Sequence, residues 1–243
     1  MNISLNVRGR INRVVASLIG AAFFLTCGAL LAFVLFPRQA LQARHVERLP
    51  DMAAEDVAFA SPGDDILLTG RLEDNPILVE GGFVAFIRDG WELTAPTPGS
   101  QNDDYTGQWK TLERVVPDLV LNADGGRADI LRASNVTMSG SLHERLIRAY
   151  SFRKAIYKGE KLGEGSERVR GFYNGDLATV LGTKASTGGV IPDELFAGDR
   201  VAFVQHKKSA ARGLFIFGLC LMGIAPIVLV GGILSGVLGQ RRR

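Results

Sequence analysis

Two long stretches of the chain carry no charged side chain, and they bracket a mixed middle region. Residues 14–36 are 23 consecutive uncharged, mostly apolar positions, and residues 213–239 are another 27. As a helix the first extends about 34 Å, enough for a hydrocarbon layer of about 30 Å. Backbone polar groups in lipid must be satisfied within their own segment, so both stretches are expected to be transmembrane helices. The first run is too long for a cleaved leader and lacks a small-x-small exit before Pro37, which argues for a retained anchor. Pro226 is expected to kink the second helix. Ala16 with Gly20, and Gly232 with Gly236, form small-x-x-x-small steps and are the expected positions of close helix packing.

Between the spans the pattern changes to short runs of period two broken by turn residues. Residues 65–72 read as a first strand and 79–87 as a second, with Gly81 and Gly82 marking a bulge. Asp89-Gly90 is expected to turn that strand into a hairpin with 91–94. Residues 95–107 form a polar loop; strands are expected at 109–114, 117–121 and 128–131. Ser141-Leu-His-Glu144 fits a capping box, so one helix is expected to start there. Gly175-Asp176 and Gly198-Asp199 each lead into an apolar run and are read as entries to the last strands. The expected fold is mainly β: a small OB-like antiparallel barrel with one or two short helices, flanked by two transmembrane α-helices. In segments this is a basic tail 1–13, a span 14–36, a linker 37–60, a β-rich domain 61–206, a span 213–239 and a basic tail 240–243.

The net charge is +3, but it is unevenly spread. All 25 acidic residues lie between positions 38 and 212, where they outnumber the basic ones, while Arg8, Arg10, Arg13, Arg241, Arg242 and Arg243 sit at the two ends. Arginines just outside apolar spans meet lipid headgroups, so the basic balance reflects topology and not nucleic acid. Tail arginines favour cytoplasmic termini, although Arg38, Arg44, Arg48, Arg200, Lys207, Lys208 and Arg212 pull the other way. The expected arrangement is a two-pass protein of a bacterial inner membrane with both termini cytoplasmic and the domain periplasmic.

Chemistry is sparse. Cys27 and Cys220 both lie in the apolar runs, so neither a disulfide framework nor a metal-thiolate motif is present. His45, His143 and His206 are scattered without metal-ligand spacing, and neither glycine-rich stretch matches a phosphate loop. Catalytic residues, metal ligands and a cofactor are therefore not expected. Arg145, Arg148, Arg153, Lys154 and Lys158 form the densest basic stretch and are the candidate interaction residues, against the plainer reading of a solvated surface.

Several short motifs together resemble the GIDE-type, or beside-a-membrane, domain of membrane-anchored proteins. They are Gly70-Arg-Leu72, Phe83-Val-Ala-Phe-Ile87, Trp109-Lys-Thr111, Pro117-Asp-Leu-Val-Leu-Asn-Ala-Asp-Gly125, Ala128-Asp-Ile130 and Gly175-Asp176, followed by a span. The ubiquitin-ligase members of that family end in a RING, whose cysteine and histidine ligands have no counterpart here, so ligase activity is not implied. The expectation is a non-enzymatic accessory or assembly subunit that contacts the lipid bilayer and another membrane protein or complex, without nucleic acid. The alternative is a ligand-binding or enzymatic barrel of unknown substrate.

Overall fold

A computed structural model describes residues 7–79, 81–96 and 105–238. The chain divides into a helical unit, residues 1–48 with 204–243, and a β-rich unit, residues 49–203. The helical unit begins with α1, Val7–Leu30, which passes through a π-helical segment at Leu31–Leu35 into α2, Phe36–Arg48. The apolar span thus continues as helix into the segment expected to be a linker. After the β-rich unit, α4, Arg200–Leu238, runs uninterrupted through Pro226.

Both long helices are long and apolar enough to cross a membrane. Leu18, Ile19, Phe23 and Phe33 on one, and Ile216, Phe217, Ile227 and Val230 on the other, are exposed. A core helix of a water-soluble domain would bury such side chains, and α4 follows the domain where no leader would be. The chain is a membrane protein with a β-rich domain between two candidate spans.

In that domain β1, Asp65–Leu72, β4, Leu119–Ala123, β5, Gly126–Ile130, β11, Leu177–Lys184, and β12, Val190–Ala197, form a closed ring. β1 pairs with β4, β4 with β5, β5 with β12, β12 with β11, and β11 returns to β1. Four of these pairings are antiparallel, while β5 and β12 run parallel. In chain order the ring is first, second, third, fifth, fourth, an OB-like barrel. Because strand side chains alternate, Ile66, Leu68 and Leu72 of β1 point to one face with Leu119 and Leu121 of β4, Ile130 of β5, Val180 of β11 and Leu195 of β12. All are essentially fully buried. Each aliphatic side chain buried this way is worth about 1.5–3 kcal/mol, and together they fill the barrel interior.

The chain leaves the barrel twice. The first excursion makes β2, Phe83–Thr94, and β3, Thr106–Val115. The second makes β6, Thr137–Gly140, β7, His143–Ile147, the hairpin β8, Lys154–Tyr157, with β9, Glu160–Gly163, and β10, Glu167–Tyr173. β6 adds to β12 at the barrel, whereas β3, β2, β10 and β7 make a separate four-stranded sheet. Val84, Ala85 and Ile87 of β2 and Phe172 of β10 join the barrel core.

Several sequence expectations are corrected here. Gly81 and Gly82 make a turn before β2, not a bulge; both have positive φ, +108° and +93°, open to glycine without a Cβ penalty. β2 continues as a strand through Asp89-Gly90, with a register shift against β3 between Arg88 and Asp89, and the Asp89 carboxylate is held by two arginines of β10. Ser141 begins no helix: residues 143–147 pair with β10 as β7, and the Ser141 amide donates to the Ala197 carbonyl. The short helix in the domain is instead α3, Ala54–Phe59, whose Ala54 and Val57 pack on the barrel core. Gly198-Asp199 opens α4 and not a strand, with the Asp199 carboxylate accepting the Ala202 amide at 2.7 Å as an N-cap.

Candidate functional site

The densest cluster of sequence-selected residues falls on β7, the loop after it and the β8–β9 hairpin. β7 is an edge strand, and its partner β10 holds it on one side only. The loop stem is pinned at both ends. Ser166, fully buried, accepts the Ala149 amide through its hydroxyl at 3.0 Å and donates that hydroxyl to the Gly163 carbonyl at 2.8 Å. On the other side the Glu164 amide donates to the Arg153 carbonyl at 3.2 Å.

Between those pins the loop turns two aromatic rings outward. Tyr150 is 88% exposed and Phe152 93%, and they meet edge to face with centroids 5.8 Å apart. Ile147 and Ile156 flank them and are exposed as well. Burying any one of these side chains would gain about 1.5–3 kcal/mol, so the domain forgoes that gain four times within ten residues.

The basic residues surround this tip, and acidic ones answer several of them. Arg148 pairs with Glu160, Arg153 with Glu164 at 3.6 Å, and Lys158 with Glu144 at 3.2 Å. Glu144 and the adjacent Tyr157 hold the Lys158 ammonium above the ordinary lysine value. Lys154 is exposed, with no hydrogen bond or ion pair among the described residues. The Arg145 side chain crosses Gly81, where a Cβ would lie 2.6 Å from its Nη1. Six basic and three acidic side chains in residues 143–164 leave the surface net positive. Tyr150, Phe152 and Ile156 were missed because their apolar spacing fits an ordinary strand; only the interleaving Arg-Ala-Tyr-Ser-Phe-Arg-Lys hints at an exposed tip.

Under the hairpin lies a second small core of Trp91, Ala155 and Leu162, with Trp109, Tyr157 and Leu146 against it. Trp91 and Trp109 meet at 4.8 Å between centroids, and the Arg168 guanidinium lies 4.6 Å over the Trp109 ring. The indole N–H groups of both tryptophans are buried without a hydrogen-bond acceptor among the described residues. Arg168 also donates to the Tyr157 hydroxyl at 3.1 Å. This cluster fixes β8 and β9 on the sheet and thereby sets where the tip points.

His143 stands at the start of β7, not at a helix N-terminus. Its ring stacks on Tyr173 at 4.3 Å, and Nε2 lies 3.0 Å from the Asp176 carboxylate. Among the described residues no three His, Cys, Asp or Glu side chains converge as a metal site would need.

In the helical unit the two chosen small-residue steps fare differently. A Cβ on Gly232 would fall 1.8 Å from Ser17 Oγ, and one on Gly20 would lie 3.6 Å from Val228 Cγ1. The closest backbone approach is elsewhere: a Cβ on Gly28 would lie 2.7 Å from the Gly218 carbonyl oxygen, and one on Gly218 would lie 2.9 Å from Ala32 N. Gly28-x-x-x-Ala32 is also a small-x-x-x-small step, masked by the run of similar residues around it. Arg241, Arg242 and Arg243 lie outside the described residues, as do the side chains of Arg8, Arg10 and Arg13 and the surroundings of Gly236.

Comparison with family models, with curated proteins and with solved structures found no significant match for this chain.

Proposed function

We propose that the protein is a non-catalytic accessory or assembly subunit, whose barrel domain docks another membrane protein through the loop that carries Tyr150 and Phe152. The observation behind this reading is the pair of almost fully exposed aromatic rings on a loop pinned at both ends. Interface hot spots are enriched in Tyr, Trp and Arg, and a pre-ordered loop loses little conformational entropy on binding. The surrounding Arg148, Arg153, Lys154 and Lys158 favour a partner with an acidic face and raise the rate of encounter. The barrel interior is filled by apolar side chains, so the reading needs no internal ligand.

The compartment belongs to the same proposal: a bacterial inner membrane, cytoplasmic termini and a periplasmic domain. The tail arginines support that orientation. The resemblance to the GIDE-type domain supports a membrane-adjacent interaction module.

The test replaces Phe152 with a photo-crosslinking residue in the full chain and irradiates native membranes. A discrete crosslinked partner, lost when Tyr150 is changed to alanine and retained when exposed Ile191 is changed, supports the assignment. Crosslinks to lipid alone, or to the same protein set from a probe at Ile191, would remove it.

A further inference from the structure

The helical unit contains a groove that the docking proposal does not use. It lies between α2 and the part of α4 that precedes the charge-free run, with a cavity volume of about 320 Å³. Phe36, Ala40, Ala43 and Ala211 line its floor, and Arg44, Glu47, Lys208 and Arg212 its rim. Glu47 is spent on Lys208, whose Nζ donates to its carboxylate at 2.6 Å. Arg44 and Arg212 have no hydrogen bond or ion pair among the described residues, so two guanidinium groups border an apolar floor without a counter-charge.

The level of this groove along the helices is set by the sequence. The first charge-free run ends at Phe36, whose ring meets Phe215 at 4.8 Å, and the second begins at Gly213, next to Arg212. Arg44 lies eight residues, about two turns, beyond Phe36. The floor therefore adjoins the hydrocarbon while the rim stands at headgroup depth. Guanidinium groups there match phosphate in a forked geometry and attract anionic lipid. A pocket of this size can take a headgroup with the first part of an acyl chain.

We propose that this groove is a binding site for an anionic phospholipid in the leaflet on the domain side, with phosphate held by Arg44 and Arg212 and an acyl chain along Phe36, Ala40, Ala43 and Ala211. The lining carries three basic side chains, Arg44, Lys208 and Arg212, against the single carboxylate of Glu47, and this net positive charge favours a lipid of net negative charge over a zwitterionic one.

The full chain, purified in mild detergent, is offered equal phosphatidylglycerol and phosphatidylcholine, and the retained lipid is read by native mass spectrometry. Retention of phosphatidylglycerol should exceed that of phosphatidylcholine about tenfold, and Arg44→Gln with Arg212→Gln should abolish the preference. Arg44→Lys with Arg212→Lys should retain most of it, which separates lost charge from lost folding. Glycerol phosphate without acyl chains should not compete at millimolar concentration. Equal retention of both lipids by the wild type, unchanged preference in the glutamine variant, loss in the lysine variant despite an unchanged melt, or full competition by glycerol phosphate would each overturn the site.

Discussion

Asp89 and Arg168 stand opposite each other on β2 and β10, and the guanidinium donates to the carboxylate from Nε at 3.1 Å and Nη2 at 2.9 Å. Arg170 donates two more bonds of the same lengths, and the Thr111 hydroxyl takes the other oxygen at 2.9 Å. Asp89 is only 1% exposed, so its charge depends on these partners. Removing one member of a buried charge group strands the others. Asp89→Ala is expected to cost about 3–5 kcal/mol in unfolding measured in detergent with urea. A loss below about 1 kcal/mol would mean that water reaches the arginines.

The same group predicts an acid dependence. Burial raises the Asp89 carboxyl, but Thr111, Arg168 and Arg170 outweigh it and hold the group below its ordinary 3.8. The unfolded chain then takes up the proton first as pH falls. The contribution of Asp89 is complete well above 3.8 and is lost as pH drops through that value towards the folded one. The difference in Tm between wild type and Asp89→Asn should shrink below about pH 4. A constant difference down to pH 3 would contradict the assignment.

Exposed and buried aromatics should respond in opposite ways. Tyr150→Ala and Phe152→Ala are expected to change stability by no more than about 0.5 kcal/mol, since both rings stand in solvent. Trp91→Ala should cost about 3–5 kcal/mol, because it empties the small core under the hairpin. Trp91→Phe should recover most of this, as the indole N–H has no acceptor among the described residues to lose. Thermal melts of the four variants decide the matter, and a Trp91→Phe as damaging as the alanine would reveal a hidden polar partner.

The glycine contact in the helical unit gives a graded prediction. Gly218→Ala and Gly28→Ala push a methyl group against backbone atoms, and overpacking of this kind costs about 1–3 kcal/mol. Gly231→Ala meets nothing within 4 Å and should be neutral or slightly stabilising, since alanine favours helix. Equal melts for all three variants would show that α1 and α4 do not approach at Gly28 and Gly218.

Where local pattern and tertiary context agree, the sequence was enough. Residues 65–72 form a short apolar-rich run that follows the turn residues Pro62-Gly63-Asp64, and β1 spans Asp65–Leu72. The charge-free runs likewise announce helices by length alone. The failures occur where a distant strand decides. Asp89-Gly90 has the composition of a turn, and only arginines 79 and 81 residues away make it a strand interior. Ser141 to Glu144 has the composition of a helix start, but β10 offers a ladder to that segment. β12, which closes the barrel, contains Pro192 and the buried Glu194 and looks unlike a central strand. A register shift beside Gly182 places Pro192 opposite that glycine, and Ser139 donates a hydroxyl to Glu194 at 2.9 Å. At the candidate site the basic residues could be read from composition, while exposure of Tyr150 and Phe152 required knowing that β7 is an edge.

Closure of the ring by β1 and β11 also governs the order in which the domain can be made. Thr69 and Thr179 are hydrogen-bonded partners 110 residues apart, and the next neighbour of β11 is β12, at the end of the domain. A ribosome adding about 5–20 residues per second leaves β1 without that partner for several seconds after it emerges. During that interval its buried leucines and one unpaired edge are open to other chains. The first hydrophobic helix is already made by then and α4 is not, so a single anchor holds a half-built domain at the membrane until the last strand arrives.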